Sequence, residues 1–274
     1  DAMSMNGVGG ACQYCTSRNN TFGTSADKTQ MYNTAEGWRG LGPGYAVICG
    51  MHSTDASQAI RMTSSDGGTR SILIVRNSTF LGSAQGPRFG GKMDDKPPDG
   101  KMGAFSIFEN NYATSTKNGS CGGMRIGEGI HMIIRGNTFE GATAHGIYCY
   151  NSGAYARIEG NLFKDNGLDA IDTAIVDPCD AEYDLGGGLV DVWEIDPDGD
   201  FYGASAAARA AVPSYGQNTF QNNGGYDVVN GITGGTVLKA ENNFWDHTTV
   251  ALVLANDVSG SVDVDPLGVD PNSP

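Results

Sequence analysis

Apolar and polar positions alternate in short runs along this chain, and the runs repeat. Met132-Ile133-Ile134-Arg135 leads into Gly136-Asn137-Thr138-Phe139, and Ala156-Arg157-Ile158-Glu159 leads into Gly160-Asn161-Leu162-Phe163, 24 residues later. The phrase returns as Gly216-Gln217-Asn218-Thr219-Phe220 and, altered, as Glu241-Asn242-Asn243-Phe244-Trp245. Earlier copies end at Phe22, Phe80 and Tyr112. One strand–turn unit every roughly 20–30 residues is the signature of a solenoid. The alternation predicts Met132, Ile134, Ala156 and Ile158 pointing inward, with Ile133, Arg135, Arg157 and Glu159 outward and Arg135 beside Glu159. Aligning the copies on their asparagines stacks Asn137, Asn161 and Asn218 in one column and Phe139, Phe163 and Phe220 in another. A buried asparagine at a bend can bond the backbone of the neighbouring turn, which is a physical reason for the phrase to recur.

The same pattern divides the chain. Residues 1–17 are Gly/Cys-rich and read as an irregular N-terminal segment, 18–267 as a single elongated solenoid, and 268–274 as a tail. Strands are expected at 45–49, 59–62, 105–108, 235–240 and 250–254, and a Gly/Pro loop at 36–44. Two stretches break the repeat. The proline-broken segment 86–100 should project as a loop, and 176–213 forms a second excursion. Within the latter the alanine run 203–211 predicts a short helix, stopped by Pro213.

Composition sharpens this picture. Glycine is abundant, at 41 of 274 residues, and only 18% of residues are charged. Many short strands joined by tight turns suit that usage, because Gly and Asn accept positive φ. The net charge of −14 repels phosphate backbones, so nucleic acid is not an expected partner. No apolar run approaches the roughly 18 residues of a membrane span, and no signal peptide is evident, so Asp1 reads as a mature N-terminus or a fragment boundary. The six cysteines, Cys12, Cys15, Cys49, Cys121, Cys149 and Cys179, are disulfide candidates whose pairing the sequence leaves open, with buried thiols as the other reading. The chain is therefore expected to be extracellular or on a cell surface.

A strand followed by Gly-Asn-x-Phe at this period resembles the right-handed parallel β-helix of the pectate-lyase-like superfamily. The ending, Glu241-Asn242-Asn243-Phe244-Trp245-Asp246 and then Val262-Asp263-Val264-Asp265-Pro266, is similar to the closure of many secreted β-helix repeat proteins. The resemblance implies an all-β right-handed parallel β-helix over nearly the whole chain. It does not choose a function, because lyases, hydrolases, adhesins and tailspikes share the fold.

Candidate chemistry is sparse. The set of a polygalacturonase-like branch is incomplete: Asn166-Gly167-Leu168-Asp169 only faintly resembles its first motif, and Asp94-Asp95 lies in a loop. A lyase branch implies a base beside a carboxylate-held cation. Aligned turns put His145, Asp169 and Asp227 in one column, with Tyr148 beside Asp172, so His145, Asp169 and Asp172 are the catalytic candidates. Asp196, Asp198 and Asp200 in Asp196-Pro197-Asp198-Gly199-Asp200 have the spacing of a calcium loop, making Ca²⁺ the expected cofactor. His52, His131 and His247 show no partner in sequence, and Trp38, Trp193, Tyr155 and Tyr226 suit either packing or sugar stacking. The first expectation is a structural surface protein (scaffold, filament subunit or glycan-contacting module) whose partners are further copies of itself or a polysaccharide. The alternative is a polysaccharide lyase-like enzyme acting on an acidic polysaccharide with calcium.

Overall fold

The computed structural model describes residues 4–6, 14–18, 21–22, 36–41, 44–54, 58–63, 71–83, 86–90, 104–115, 123–127, 130–150, 154–173, 182–188, 213–232 and 235–269. Their strands form three parallel sheets. Sheet A has nine strands, from Ser4–Asn6 to Val258–Ser259, and sheet B has nine, from Tyr14–Arg18 to Val262–Asp263. Sheet C has seven, from Thr21–Phe22 to Thr219–Gln221. The chain visits them in rotation. Met124–Gly127 joins sheet A, Ile130–Arg135 sheet B and Thr138–Glu140 sheet C, and the next circuit repeats with Ile147–Tyr150, Ala154–Glu159 and Leu162–Lys164. Three stacked parallel sheets of this kind are consistent with a parallel β-helix. Between the three walls lies one apolar core that includes Met132, Ile134, Ala156, Ile158, Ile147, Ile171 and Val228. Strands this rich in Ile, Val and aromatics suit a sheet buried on at least one face.

The recurring phrase works at the bend between sheets B and C. The residue before the asparagine column has positive φ on successive turns: Gly50, Asn77, Asn110, Gly136, Gly160, Gln217 and Asn242. Gly pays no steric penalty there and Asn only a small one, so Gly or Asn fills six of these seven positions and Gln217 the seventh. The next residue carries the ladder. Asn161 Oδ1 accepts from Asn137 N (2.9 Å) and Asn137 Nδ2 (3.0 Å), and Asn218 Oδ1 accepts from the same two atoms of Asn161 (3.1 and 2.9 Å). Asn111 and Asn243 extend the column upward and downward. Nδ2 groups also bind carbonyls one turn back, as Asn137 does with Phe108 O at 2.7 Å. All five asparagines are buried and bonded, which meets the demand that buried amides be satisfied.

Beside the ladder runs the aromatic column. Phe139, Phe163 and Phe220 stack with ring centroids 5.1 and 5.3 Å apart, and Trp245 closes the stack 4.7 Å from Phe220. Ala113, not Tyr112, occupies the corresponding position one turn above Phe139. Phe108 of sheet B fills the space its small side chain leaves, stacking on Phe80 and Phe139 at 5.8 and 6.2 Å.

Ladder partners are 24 residues apart from Asn137 to Asn161 and 25 from Asn218 to Asn243. The separation rises to 33 between Ser78 and Asn111, across 86–100, and to 57 between Asn161 and Asn218, across 176–213. Both long intervals nevertheless feed the sheets. Arg88–Gly90 is a strand of sheet A, and Glu182–Asp184 a strand of sheet B, so the solenoid runs on through segments expected to project from it. Glu36–Leu41 is likewise a sheet A strand where a Gly/Pro loop was expected. The supposedly irregular N-terminal segment holds the strands Ser4–Asn6 and Tyr14–Arg18. Parallel neighbours supply ladder bonds that override weak local propensity.

The expected strand at 250–254 is a helix, Val250–Asn256. Thr249 caps its start by accepting from Leu252 N, and only Val253 is buried. A continuous apolar run has no periodicity to separate strand from helix, and here the N-cap decides. At 235–240 only Leu238–Lys239 is strand. Ile133 was placed on the outer face but is fully buried, as are its outward neighbours Arg157, Glu159 and Asp184. The helix expected at 203–211, all of 91–103 and of 189–212, and the tail from 270 lie outside the described residues. No helix among the described residues is long and apolar enough to cross a membrane.

Candidate functional site

Strand alternation sends Met124, Ile126, Ile147, Cys149 and Ile171 into the core, and turns Arg125, Tyr148 and Asp172 to the outer face of sheet A. The register stacks these residues. Arg125 pairs with Tyr148, and Tyr148 with Asp172. Upward, Arg125 pairs with Arg88, Arg88 with Arg61, and Arg61 with Arg39. Four arginines thus hold one register position on consecutive strands, about 4.8 Å apart, before the column changes to Tyr148 and Asp172. Below Asp172 it continues as Val229 and Ser259.

The turn entering sheet A brings the other candidates to this point. Gly146 N bonds Asp169 O and Ala170 N bonds Tyr226 O, which stacks His145 over Asp169 over Tyr226. His145 Nδ1 lies 3.1 Å from Asp169 Oδ2, and its Nε2 lies 3.7 Å from Asp172 Oδ2. Nδ1 is shut off from solvent, and the Asp169 oxygen is off its hydrogen-bonding direction. The imidazole stacks on Tyr148 with ring centroids 5.4 Å apart. Asp169 is anchored from below, because its Oδ1 accepts from Tyr226 N at 2.7 Å. That bond needs Gly225, where an added Cβ would stand 2.4 Å from the same oxygen. The side chains of His145, Asp169 and Asp172 keep only 12%, 16% and 12% of their surface exposed, so they form a partly desolvated cluster in which charge acts strongly.

Asp227 does not belong to this column. It stands one residue beyond Tyr226, is buried, and accepts from Asn223 Nδ2 at 2.8 Å. Burial, with Asp257 and Asp246 nearby, pushes its carboxyl up to about 7. Asp257 receives the His247 ring at 2.7 Å on Oδ1, and burial raises its carboxyl as well. These acids gather under the last turns of the solenoid. Counting eight residues from the ladder asparagine, as from Asn137 to His145 and from Asn161 to Asp169, reaches Tyr226 from Asn218, so Asp227 lies one residue past the column.

The remaining candidates separate widely. Asp196, Asp198 and Asp200 lie outside the described residues, as do Trp193, Cys12, Cys121 and Cys179. Cys15 falls in the strand Tyr14–Arg18, His52 in His52–Thr54 and Trp38 in Glu36–Leu41. Cys49 and Cys149 are free thiols rather than disulfide halves. Burial pushes the Cys149 thiol well above its usual range, so it is chemically quiet. On sheet B, His131 is buried and stacks on Tyr155 at 4.5 Å, a packing role. Tyr226 is exposed beside the cluster.

The arginine column was the feature missed, although the sequence carries its signal. In Trp38-Arg39-Gly40, Ile60-Arg61-Met62, Pro87-Arg88-Phe89 and Met124-Arg125-Ile126 a lone arginine sits between apolar or small residues. Variable loops around the sheet A strands hide the period. No family profile, curated protein or solved structure matches the chain.

Proposed function

We propose that the chain is an extracellular, right-handed parallel β-helix of the pectate-lyase-like kind that binds an acidic polysaccharide along the outer face of sheet A and cleaves it by β-elimination. The observation that carries this reading is the single register position shared by Arg39, Arg61, Arg88, Arg125, Tyr148 and Asp172. Like charges in register on adjacent strands oppose folding, and in a chain of net charge −14 they mark a local site for anions. Strand spacing of about 4.8 Å is close to the rise of one sugar unit, so a uronate chain laid along the column would present successive carboxylates to successive guanidinium groups. Arg125 neutralises the carboxylate of the reacting sugar, which acidifies the adjacent C5 proton. Tyr148 or His145 removes that proton, the C4–O bond breaks as the C4–C5 double bond forms, and the leaving oxygen takes a proton.

Reading the chain as a scaffold or filament subunit accounts for the regular ladder but assigns no task to the arginine register. The deciding experiment incubates the protein with polyuronates and with neutral glucans and follows the absorbance of unsaturated product. Product from a polyuronate alone, lost in His145→Ala, supports the proposal. Absence of product and of binding with every polyuronate returns the chain to the scaffold reading.

A further inference from the structure

The cluster at the foot of the arginine column has a property that a proton-transfer role leaves unexplained. One nitrogen of His145 and one carboxylate oxygen each from Asp169 and Asp172 lie within 4.8 Å of one another. Ligands bound at about 2.0–2.1 Å stand about 2.8–3.4 Å apart in octahedral or tetrahedral geometry, and His145 Nδ1 stands 3.1 Å from Asp169 Oδ2. That nitrogen is fully buried and makes no hydrogen bond, although the carboxylate oxygen stands beside it. Asp169 is oriented as ligating carboxylates are, with Oδ1 held by Tyr226 N at 2.7 Å and Oδ2 turned toward the imidazole.

We propose that His145, Asp169 and Asp172 bind a divalent transition cation of the zinc class. The donor set selects the metal. Calcium takes six to eight oxygens and gains little from an imidazole, whereas one imidazole with two carboxylates suits Zn²⁺ and its neighbours. Three protein ligands leave a further position open toward the outer face of sheet A, as in sites where a metal meets a water or substrate. A cation there would extend the positive column by one step, beyond Arg125 and past Tyr148. This differs from the expected calcium loop at Asp196, Asp198 and Asp200 in both place and metal. It stands without the polysaccharide reading, because its test uses no glycan.

The test titrates the chelator-dialysed full chain with ZnCl₂, and separately with CaCl₂, by calorimetry. The expected result is one zinc site and no calcium competition at it. Asp169→Asn keeps an acceptor for Tyr226 N–H and removes the anionic ligand, so it should weaken zinc by at least about 100-fold, more than losing an outer-shell partner costs. His145→Ala should do the same, while His247→Ala, which alters the other histidine–aspartate pair, should leave binding unchanged. Co²⁺ loaded at one equivalent should show no sulfur-to-cobalt charge transfer, which separates this site from Cys12 and Cys15. Zinc affinity unaltered in Asp169→Asn, calcium bound in preference to zinc, or a thiolate-type cobalt spectrum would overturn the proposal.

Discussion

Sheets A and B carry columns of charge on neighbouring faces of the same solenoid, and they use it in opposite ways. On sheet B the register sets Arg76, Glu109, Arg135 and Glu159 one above another. Glu109 meets Arg135 at 2.9 Å and Arg76 at 4.0 Å, so the column neutralises itself. On sheet A the equivalent column puts arginine beside arginine for four strands and reaches its first carboxylate only at Asp172. Parallel strands impose the same spacing on both, so sequence alone makes one column alternate in sign and the other repeat it, and the repeating column is the one proposed to hold an anion. A charge column on a solenoid reads as scaffold when its signs alternate and as a binding face when they do not.

The largest effect should come from the core that both faces share. Phe163→Ala opens a cavity between Phe139 and Phe220, and should cost about 3–5 kcal/mol in urea unfolding. Both columns should then fail together. A loss confined to one face would mean that the faces do not depend on a common stack.

The next effect concerns the acids under the last turns. Asp227 has a folded-state value of about 7 against an ordinary 3.8, so the folded state holds a proton that the unfolded chain has released between those limits. Its contribution is therefore intact below about pH 4 and declines as pH rises to about 7, by about 4 kcal/mol. Asp227→Asn should flatten the fall in unfolding free energy across that window. An unchanged slope would show that Asp227 is ionised throughout.

Two substitutions then separate the faces. Tyr148→Phe removes one hydroxyl from the sheet A column and should lower polyuronate cleavage by about 100-fold, the lower range for a lost acid–base group, with unfolding moved by less than about 0.5 kcal/mol. Arg135→Glu on sheet B sets a third carboxylate between Glu109 and Glu159. It should cost about 1 kcal/mol of stability, measured by urea, and leave cleavage unchanged.

Much of the architecture was legible because its cause is local. Gly136-Asn137 and Gly160-Asn161 spell out a positive-φ residue followed by a ladder residue, and the facing phenylalanines follow two residues on. The pairing of Arg135 with Glu159 also follows from that alignment. Where a segment's role is set by its neighbours, the sequence says less. Arg88–Gly90 and Glu182–Asp184 are short, sit in loop-like composition, and become strands because a parallel edge awaits them. Helix Val250–Asn256 shares its apolar run with a strand pattern and is decided by Thr249. For the site, His145, Asp169 and Asp172 could be assembled by counting from the asparagines, because 24 residues separate those turns. The same count from Asn218 reaches Tyr226, which the structure places in the column, and Asp227 is the next residue. The arginine column escaped because loops of unequal length separate Arg39, Arg61, Arg88 and Arg125.

The most direct measurement is a paired binding titration of a size-defined oligouronate against Arg125→Gln and Arg135→Gln at constant salt. Each variant removes one arginine from one column. The account predicts that Arg125→Gln weakens binding by about tenfold or more, as expected for one lost charge-assisted contact, while Arg135→Gln binds like the unaltered protein. Equal affinity in both variants, or a larger loss in Arg135→Gln, would contradict the assignment of sheet A as the anion-binding face.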